Sequence, residues 1–293
     1  MTRTTRSGAS VTLRCIRIAG AIAVITLIAV LSARAQGPAA AIKPAEVIKL
    51  FDGKSLANFE TWLVDHHSAD PERVFSVVDQ IDGAPAIRVS GQVWGGLITK
   101  EAYRDYRLVV EFRWGGLTWG DRKTRARDSG VLLHAQGRLG NTGKDFNGPW
   151  LRSIEFQIIE GGVGDILPVL GYGDDGVPIR PAVTTTTRKD RDGETVYDEK
   201  GTQGVFSGGR VNWWGRSEDW ADRLGFRGAQ DVESPGFEWT RIEAVVEGGK
   251  LTYYVNGKVV NAASDSTFKE GRIMIQSEGA EIYFRRIELQ PLQ

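Results

Sequence analysis

The sequence predicts an all-β protein in which two antiparallel sheets pack as a sandwich or jelly roll. Apolar and polar residues alternate with a period of two in roughly ten to fourteen segments, and no helical period continues beyond two turns. The 293 residues include 36 glycines and nine tryptophans, but only two methionines and one cysteine. This composition is common among β-sandwiches.

Residues 1–35 have the three-part layout of a secretory signal peptide. Five arginines and no acidic residue occur in this segment, an apolar run covers residues 18–31, and Ala33-Arg34-Ala35 forms a small-x-small cleavage site. The apolar run is shorter than the roughly 20 residues of a membrane span, so an uncleaved anchor is the less favoured alternative. We expect a periplasmic or secreted protein that begins at Gln36 and stays off the membrane.

Cleavage would remove the only cysteine and leave five more acidic than basic residues. The mature chain would therefore have no disulfide, thiolate nucleophile or cysteine metal ligand. Its acidity and the lack of a basic stripe exclude nucleic acid as the expected partner.

The alternating segments predict a sandwich domain over residues 47–293, after an Ala/Pro/Gly-rich linker at residues 36–46. Asn256-Gly257 separates two runs rich in β-branched and aromatic residues and predicts a tight hairpin. Residues 167–236 interrupt the pattern with Gly/Asp turns and polar stretches, which predicts a long loop insertion. Its tryptophans favour either a function or a role in pinning the insertion to the sandwich. The predicted strands are residues 75–78, 86–89, 97–99, 106–114, 130–134, 153–160, 240–246, 251–260, 272–277 and 281–289.

The strand at residues 153–160 has one polar and one apolar face. Glu155 and Gln157 share the polar face, while the isoleucines and phenylalanine between them point to the core. A bulge would bring Glu160 round beside Glu155. The pattern Glu-x-Gln-x-x-Glu resembles the Glu-x-Asp-x-x-Glu strand of laminarinase-like glycosidases, with Gln157 in place of the aspartate. A solvated strand face is the plain alternative.

Neighbouring segments add polar candidates. His134 has the parity of Leu132 on its predicted strand, so it either faces the core or lies at the strand end. No HExxH, Gly-x-Ser-x-Gly or P-loop motif is present. The other polar candidates are Arg113, Asp128, Gln276 and Glu278.

Six segments, in order and spacing, carry a resemblance to a known family: LFDGKSLANF at 50–59, YRLVVEFRW at 106–114, DSGV at 128–131 with His134, IEFQI at 154–158, YVNGKVV at 254–260 and GRIMIQSEGAEIYFRRIEL at 271–289. Over roughly residues 48–292 the chain resembles the 3-keto-disaccharide hydrolase domains. The resemblance implies a concanavalin A-like jelly roll that acts on a carbohydrate substrate oxidised at carbon 3.

The resemblance also implies roles. Cleavage of such a sugar needs a base for the C2 proton, donors for the enolate oxygen and an acid for the leaving oxygen. Glu155 is the first candidate for the base, and His134 or Glu160 for the acid. A divalent metal ion on His134, Glu155 and Glu160 is an open alternative. The candidate donors and substrate contacts are Gln157, Arg113, Asp128, Gln276 and Glu278, and the candidate sugar-stacking residues are Trp150, Trp213 and Trp214.

Two other functions stay open at this point. A non-catalytic carbohydrate-binding module can have the same fold. An endoglucanase of the laminarinase type would act on an unoxidised β-glucan, and Gln157 in the middle of the motif weighs against it.

Overall fold

The computed structural model describes residues 40–292 of the chain. The predicted signal peptide and residues 36–39 of the predicted linker lie outside the described residues. No helix in this part of the chain is long and apolar enough to cross a membrane. The strands are β1 (Ile48–Lys49), β2 (Phe59–Leu63), β3 (Phe75–Ile81), β4 (Ala84–Val89), β5 (Gly95–Thr99), β6 (Tyr103–Arg104), β7 (Tyr106–Thr118), β8 (Asp128–Gln136), β9 (Arg152–Ile159), β10 (Ile166–Val169), β11 (Gly171–Tyr172), β12 (Pro178–Ile179), β13 (Val183–Lys189), β14 (Thr195–Tyr197), β15 (Thr202–Phe206), β16 (Thr240–Glu247), β17 (Lys250–Val255), β18 (Lys258–Ala263), β19 (Glu270–Ser277) and β20 (Ala280–Pro291).

Two large antiparallel sheets confirm the predicted all-β sandwich. The eight-stranded sheet has the order β18-β17-β16-β7-β20-β4-β3, with β1 paired to β20. The seven-stranded sheet has the order β10-β9-β8-β19-β5-β2, with β6 paired to β19. Among the described residues, helix occurs only as one 3-10 turn, Gly120–Lys123.

The core lies between the two sheets and follows the predicted alternation. Ile154, Phe156 and Ile158 of β9 point inward and are almost fully buried. Phe156 stacks on Tyr253 of β17, with ring centroids 4.1 Å apart and planes 10° apart. Because β9 and β17 belong to different sheets, this ring pair joins the two layers directly.

The Asn-Gly hairpin forms as predicted between β17 and β18. Asn256 and Gly257 have φ of 47° and 80°, and Val255 pairs with Lys258 across them. Positive φ at both central positions matches the twist of the flanking strands, and asparagine and glycine tolerate it best.

The insertion at residues 167–236 divides into two parts. The first part is not a loop: β10 extends the seven-stranded sheet, and β11–β12 and β13–β14–β15 form two small sheets. The four threonines at 184–187 look polar in sequence, yet their β-branched side chains suit a strand. The second part, residues 207–236, is loop apart from isolated bridges at Val211 and Asn212.

Phe156→Ala should lower the free energy of unfolding by about 3–5 kcal/mol, because it leaves a cavity beside Tyr253 between the sheets. Urea unfolding of both proteins would measure the loss. Val205→Ala is a suitable control, since Val205 is 72% exposed and its change should stay within about 0.5 kcal/mol. A loss below about 1 kcal/mol for Phe156→Ala would contradict this account of the core.

Candidate functional site

The outer face of the seven-stranded sheet, turned away from the other sheet, brings Glu155, Gly130 and Gln276 together. These residues lie on the neighbouring strands β9, β8 and β19. A Cβ atom at Gly130 would lie only 2.4 Å from the Oε1 atoms of both Glu155 and Gln276. Gly130 therefore leaves the space in which these two side chains meet.

Asp128 and Glu278 bring two more carboxyl groups to this face. Both form ion pairs with Arg122, which lies on the 3-10 turn, and the Arg122 Nη2 atom is 3.4 Å from Glu278 Oε1. Asp128, Glu155 and Glu278 are each less than 10% exposed, and we refer to them as the carboxyl cluster.

Burial raises the pKa of all three groups in the carboxyl cluster. Burial and the nearby Asp128 raise the pKa of Glu155 to about 8. Burial also raises the pKa of Asp128 to about 7, against the pull of Arg122 and Arg210. Burial and repulsion from Asp128 and Glu155 raise the pKa of Glu278 well above its ordinary value. A coupled cluster of this kind holds both a proton donor and a proton acceptor at the same pH.

The insertion contributes a second arginine to the site. The charge of Arg210 favours the ionised forms of both Asp128 and Glu155. Arg210 Nη1 also lies 3.3 Å from the buried Asp165, which forms a further ion pair with Arg216. Sequence analysis did not identify Arg122 or Arg210, because neither lies in a motif and both reach the site from loops.

Several polar atoms beside the carboxyl cluster are unused. Both side-chain amide atoms of Gln276, and Oδ1 of Asp128, are buried and form no hydrogen bond of good geometry in the described part of the chain, although the Gln276 amide lies near enough to Glu155, and the Ser129 N–H near enough to Asp128, to favour the ionised carboxylates. Gln157 shares the face of Glu155, but its Oε1 accepts a hydrogen bond from the Ile158 N–H at 3.0 Å. Buried polar groups are normally paired, so the free groups of Gln276 and Asp128 are suited to a bound ligand.

His134 lies on the other side of the sheet from this site. A bulge adds one residue to β8 after Leu133, and His134 takes a φ of 53° there. Its side chain is fully buried, its Nδ1 is 2.9 Å from the Phe268 carbonyl oxygen, and its ring meets Tyr106 of the core edge-on. Simple alternation would place His134 with Leu132 on the outer face, and the bulge turns it inward.

Glu160 is also not brought beside Glu155. Strand β9 runs without the predicted bulge and ends at Ile159. The Glu160 carboxylate pairs with Arg127 at 2.5 Å and accepts a hydrogen bond from the Gly225 N–H at 2.8 Å. It therefore fastens the insertion to the strand ends.

Three further candidates lie elsewhere. Arg113 is on β7 of the other sheet and pairs with Asp82 at 2.5 Å. Trp213 is buried, and its backbone N–H donates to Asp165 at 2.7 Å. Trp214 is exposed, but its Nε1 donates to the carbonyl of Val259 on β18 of the eight-stranded sheet. The structure brings none of the three to the carboxyl cluster.

Trp150 is half-buried and stacks against Trp94, with ring centroids 5.6 Å apart. Trp94, which sequence analysis did not identify, is the more exposed ring of the pair. Stacking of Trp150 on a sugar stays a prediction.

The residues considered for a divalent metal ion do not fit one. His134 faces the core, Glu160 is held by Arg127, and only Glu155 remains on the outer face. Within residues 40–292, no group of three or more His, Cys, Asp or Glu side chains has the arrangement of a metal site.

A family model described as a 3-keto-alpha-glucoside-1,2-lyase-like domain matches residues 46–290. No curated protein matches the chain. Among solved structures, a proposed glycosyl hydrolase from Parabacteroides distasonis is 14% identical, with 85% of this chain and 94% of that chain covered and a TM-score of 0.46. A β-glucanase from Bacillus licheniformis is 11% identical, with 86% and 100% covered and a TM-score of 0.39. The carbohydrate-binding module CBM66 from Bacillus subtilis is 11% identical, with 73% and 91% covered and a TM-score of 0.37.

The Glu155→Gln variant should gain stability relative to the wild type as the pH rises. The folded state holds the Glu155 proton up to a pKa of about 8, whereas an ordinary glutamate loses it near 4.5. The folded wild type therefore binds more protons than the unfolded chain between these values, and its stability falls across that interval. Glutamine carries no such proton and avoids this loss.

Urea unfolding at half-unit pH steps would measure the difference between the two proteins. Phe156→Ala is the matched control, because it changes no titratable group and its difference from the wild type should not vary with pH. A constant difference for Glu155→Gln, or one that favours the wild type at higher pH, would contradict the buried, proton-holding state of Glu155.

Proposed function

Since the chain belongs to the family of 3-keto-alpha-glucoside-1,2-lyase-like domains, we propose that it cleaves the glycosidic bonds of 3-keto-glycosides, as a hydrolase or a lyase. Family membership connects the chain with carbohydrates. The observation that carries the proposal is the buried carboxyl cluster on the outer sheet face, which offers a base and an acid at one pH.

The chemistry follows from the ketone. A carbonyl at carbon 3 acidifies the proton on carbon 2, so a base can remove it and leave an enolate. The enolate electrons re-form the carbonyl and move into a C1–C2 double bond as the C1–O bond breaks, and an acid protonates the leaving oxygen. The product is an enone for a lyase; a hydrolase then adds water, with OH going to carbon 1 and a proton to carbon 2.

Glu155 is the proposed base. Among the described residues no cation forms an ion pair with its carboxyl group, which meets the side chain of Gln276 above Gly130. A pKa of about 8 makes it a stronger base than an ordinary glutamate while part of it is ionised near neutral pH. Its buried setting keeps water from competing for the proton.

Glu278 is the proposed acid, in place of His134 and Glu160. Burial and the neighbouring Asp128 and Glu155 raise its pKa well above the ordinary value, the direction that a proton donor needs, and Arg122 holds both Glu278 and Asp128 in position. The amide of Gln276, which lies beside Glu155, and the guanidinium of Arg210 are the proposed donors to the enolate oxygen. Preorganised donors of this kind stabilise negative charge as it develops.

The purified chain from Gln36 should turn over a 3-keto disaccharide but not its unoxidised parent. Glu155→Gln should lower kcat about 10²–10⁴-fold, the usual loss when a general base is removed. In the wild type, kcat/KM should rise with pH up to about 8, as Glu155 ionises. Product sugars and enone absorbance measure both reactions.

Glu111→Gln is the matched control, because Glu111 pairs with Arg285 on the other sheet and its loss should leave kcat unchanged. Turnover by Glu155→Gln at the wild-type rate would contradict the proposal that Glu155 is the base. Saturable sugar binding without turnover of any 3-keto-glycoside by the wild type would favour a carbohydrate-binding module instead.

We also propose that the protein is exported to the periplasm or beyond the cell, on the basis of the charge, apolar run and cleavage site in residues 1–35. Mass spectrometry of the protein recovered from the periplasm or medium should find Gln36 as the first residue. Recovery of an intact chain from the membrane fraction would show an uncleaved anchor.

A further inference from the structure

A cavity of about 290 Å³ lies directly beside the carboxyl cluster. Arg122 forms one of its walls and, through the same guanidinium, contacts Asp128 and Glu278. Gly279, the next residue after Glu278, lines the cavity as well. Its volume is near the lower end of the range for ligand pockets, which suits a single ring rather than a long oligosaccharide.

Two exposed tryptophans flank this cavity. Trp94, just before β5, is 44% exposed, and Trp119, just after β7, is 39% exposed. Because burial of apolar surface is favourable, the exposure of these two indole rings lowers the stability of the folded chain. Such rings at the edge of a cavity are suited to covering the apolar face of a flat ligand.

Both rings are held in place before any ligand binds. Trp94 stacks on Trp150 with 20° between the ring planes. Trp119 Nε1 donates to the Ser90 carbonyl at 2.9 Å, and its backbone N–H donates to the carbonyl of Gly279 at 2.7 Å. A rigid aromatic wall loses little side-chain entropy when a ring stacks on it.

We propose that Trp94 and Trp119 form the subsite for the leaving group of the glycoside, and that this subsite takes a ring with an apolar face, either a second pyranose or an aromatic aglycone. The inference rests on the proposed function for the role of the leaving group. Arg122 places the cavity next to Glu278, so the leaving oxygen would lie between the acid and the aromatic wall. The oxidised sugar would then cover the carboxyl cluster, with carbon 2 over Glu155.

This arrangement predicts that the protein discriminates between glycosides according to their leaving group. A methyl glycoside has no ring to place on Trp94 and Trp119, so it should bind weakly and lose nothing when they are removed. Three unoxidised probes separate binding from chemistry: 4-nitrophenyl α-glucoside, an α-linked glucose disaccharide and methyl α-glucoside. Their 3-keto forms test the same preference in turnover.

Isothermal titration calorimetry of the full mature chain should show tighter binding of the two ring-bearing probes than of the methyl glycoside. Trp94→Ala and Trp119→Ala should each weaken the ring-bearing probes about tenfold, the change expected for one lost stacking contact of about 1.4 kcal/mol. For the 3-keto forms, KM should rise by a similar factor for the ring-bearing substrates, with kcat for the methyl glycoside unchanged.

Trp239→Ala is the matched control, because Trp239 covers Arg285 on the other sheet and its loss should leave all three probes unaffected. The relative loss for nitrophenyl and disaccharide probes distinguishes an aromatic from a sugar leaving group. Equal losses on all three probes, no loss, or no binding of either ring-bearing probe by the wild type would overturn the subsite. If the binding preference holds while no 3-keto-glycoside is turned over, the proposed reaction fails and the ring-binding subsite stands.

Discussion

Three carboxyl groups buried on one sheet face are the constraint on which the rest of the molecule depends. Moving an ionised carboxylate out of water costs several kcal/mol even after the protein relaxes. Here the cost is offset in two ways: Arg122 and Arg210 approach the cluster, and the raised pKa values of Glu155 and Glu278 favour the neutral forms of these groups. Each arginine belongs to a loop, so the loops must be fixed as firmly as the strands.

The insertion is fixed by a second set of buried charges. Asp165 forms ion pairs with Arg216 and Arg210, and the Trp213 N–H donates a hydrogen bond to the same carboxylate. Glu160, at the end of β9, forms an ion pair with Arg127 and accepts a hydrogen bond from the Gly225 N–H. Sequence analysis proposed Glu160 as a catalytic acid. In the structure its carboxylate instead holds the insertion, the segment to which Arg210 belongs. Replacing one partner of such a pair would leave the other as an uncompensated buried charge. Single substitutions that shift the loop are therefore costly.

Local alternation was enough to predict much of the fold and the centre of the site. The period-two pattern correctly separated Glu155 and Gln157 from Ile154 and Phe156, because a regular strand has only two faces. For His134, sequence analysis expected either a core-facing side chain or a position at the strand end, and the side chain does face the core. The bulge that turns it there is set by how β8 fits between β9 and β19 and has no local signature here. Arg122 and Arg210 were missed for a related reason: the place that a loop side chain reaches depends on the whole fold. Gly130, near the start of β8, was a local signal of close approach at the site that sequence analysis did not use.

The bulge at His134 also bears on how this protein can diverge. It interrupts the pairing register of β8 between the segment that holds Asp128 and Gly130 and the segment that leads into the loop with Trp150. A change of register on the loop side of the bulge need not alter the pairing of residues before it, because the bulge already separates the two registers. Residues could therefore be gained or lost in the loop at 137–150 while the carboxyl cluster keeps its geometry. The fold thus separates the loop that carries Trp150 from the strand segment that carries Asp128 and Gly130, and the two can change at different rates.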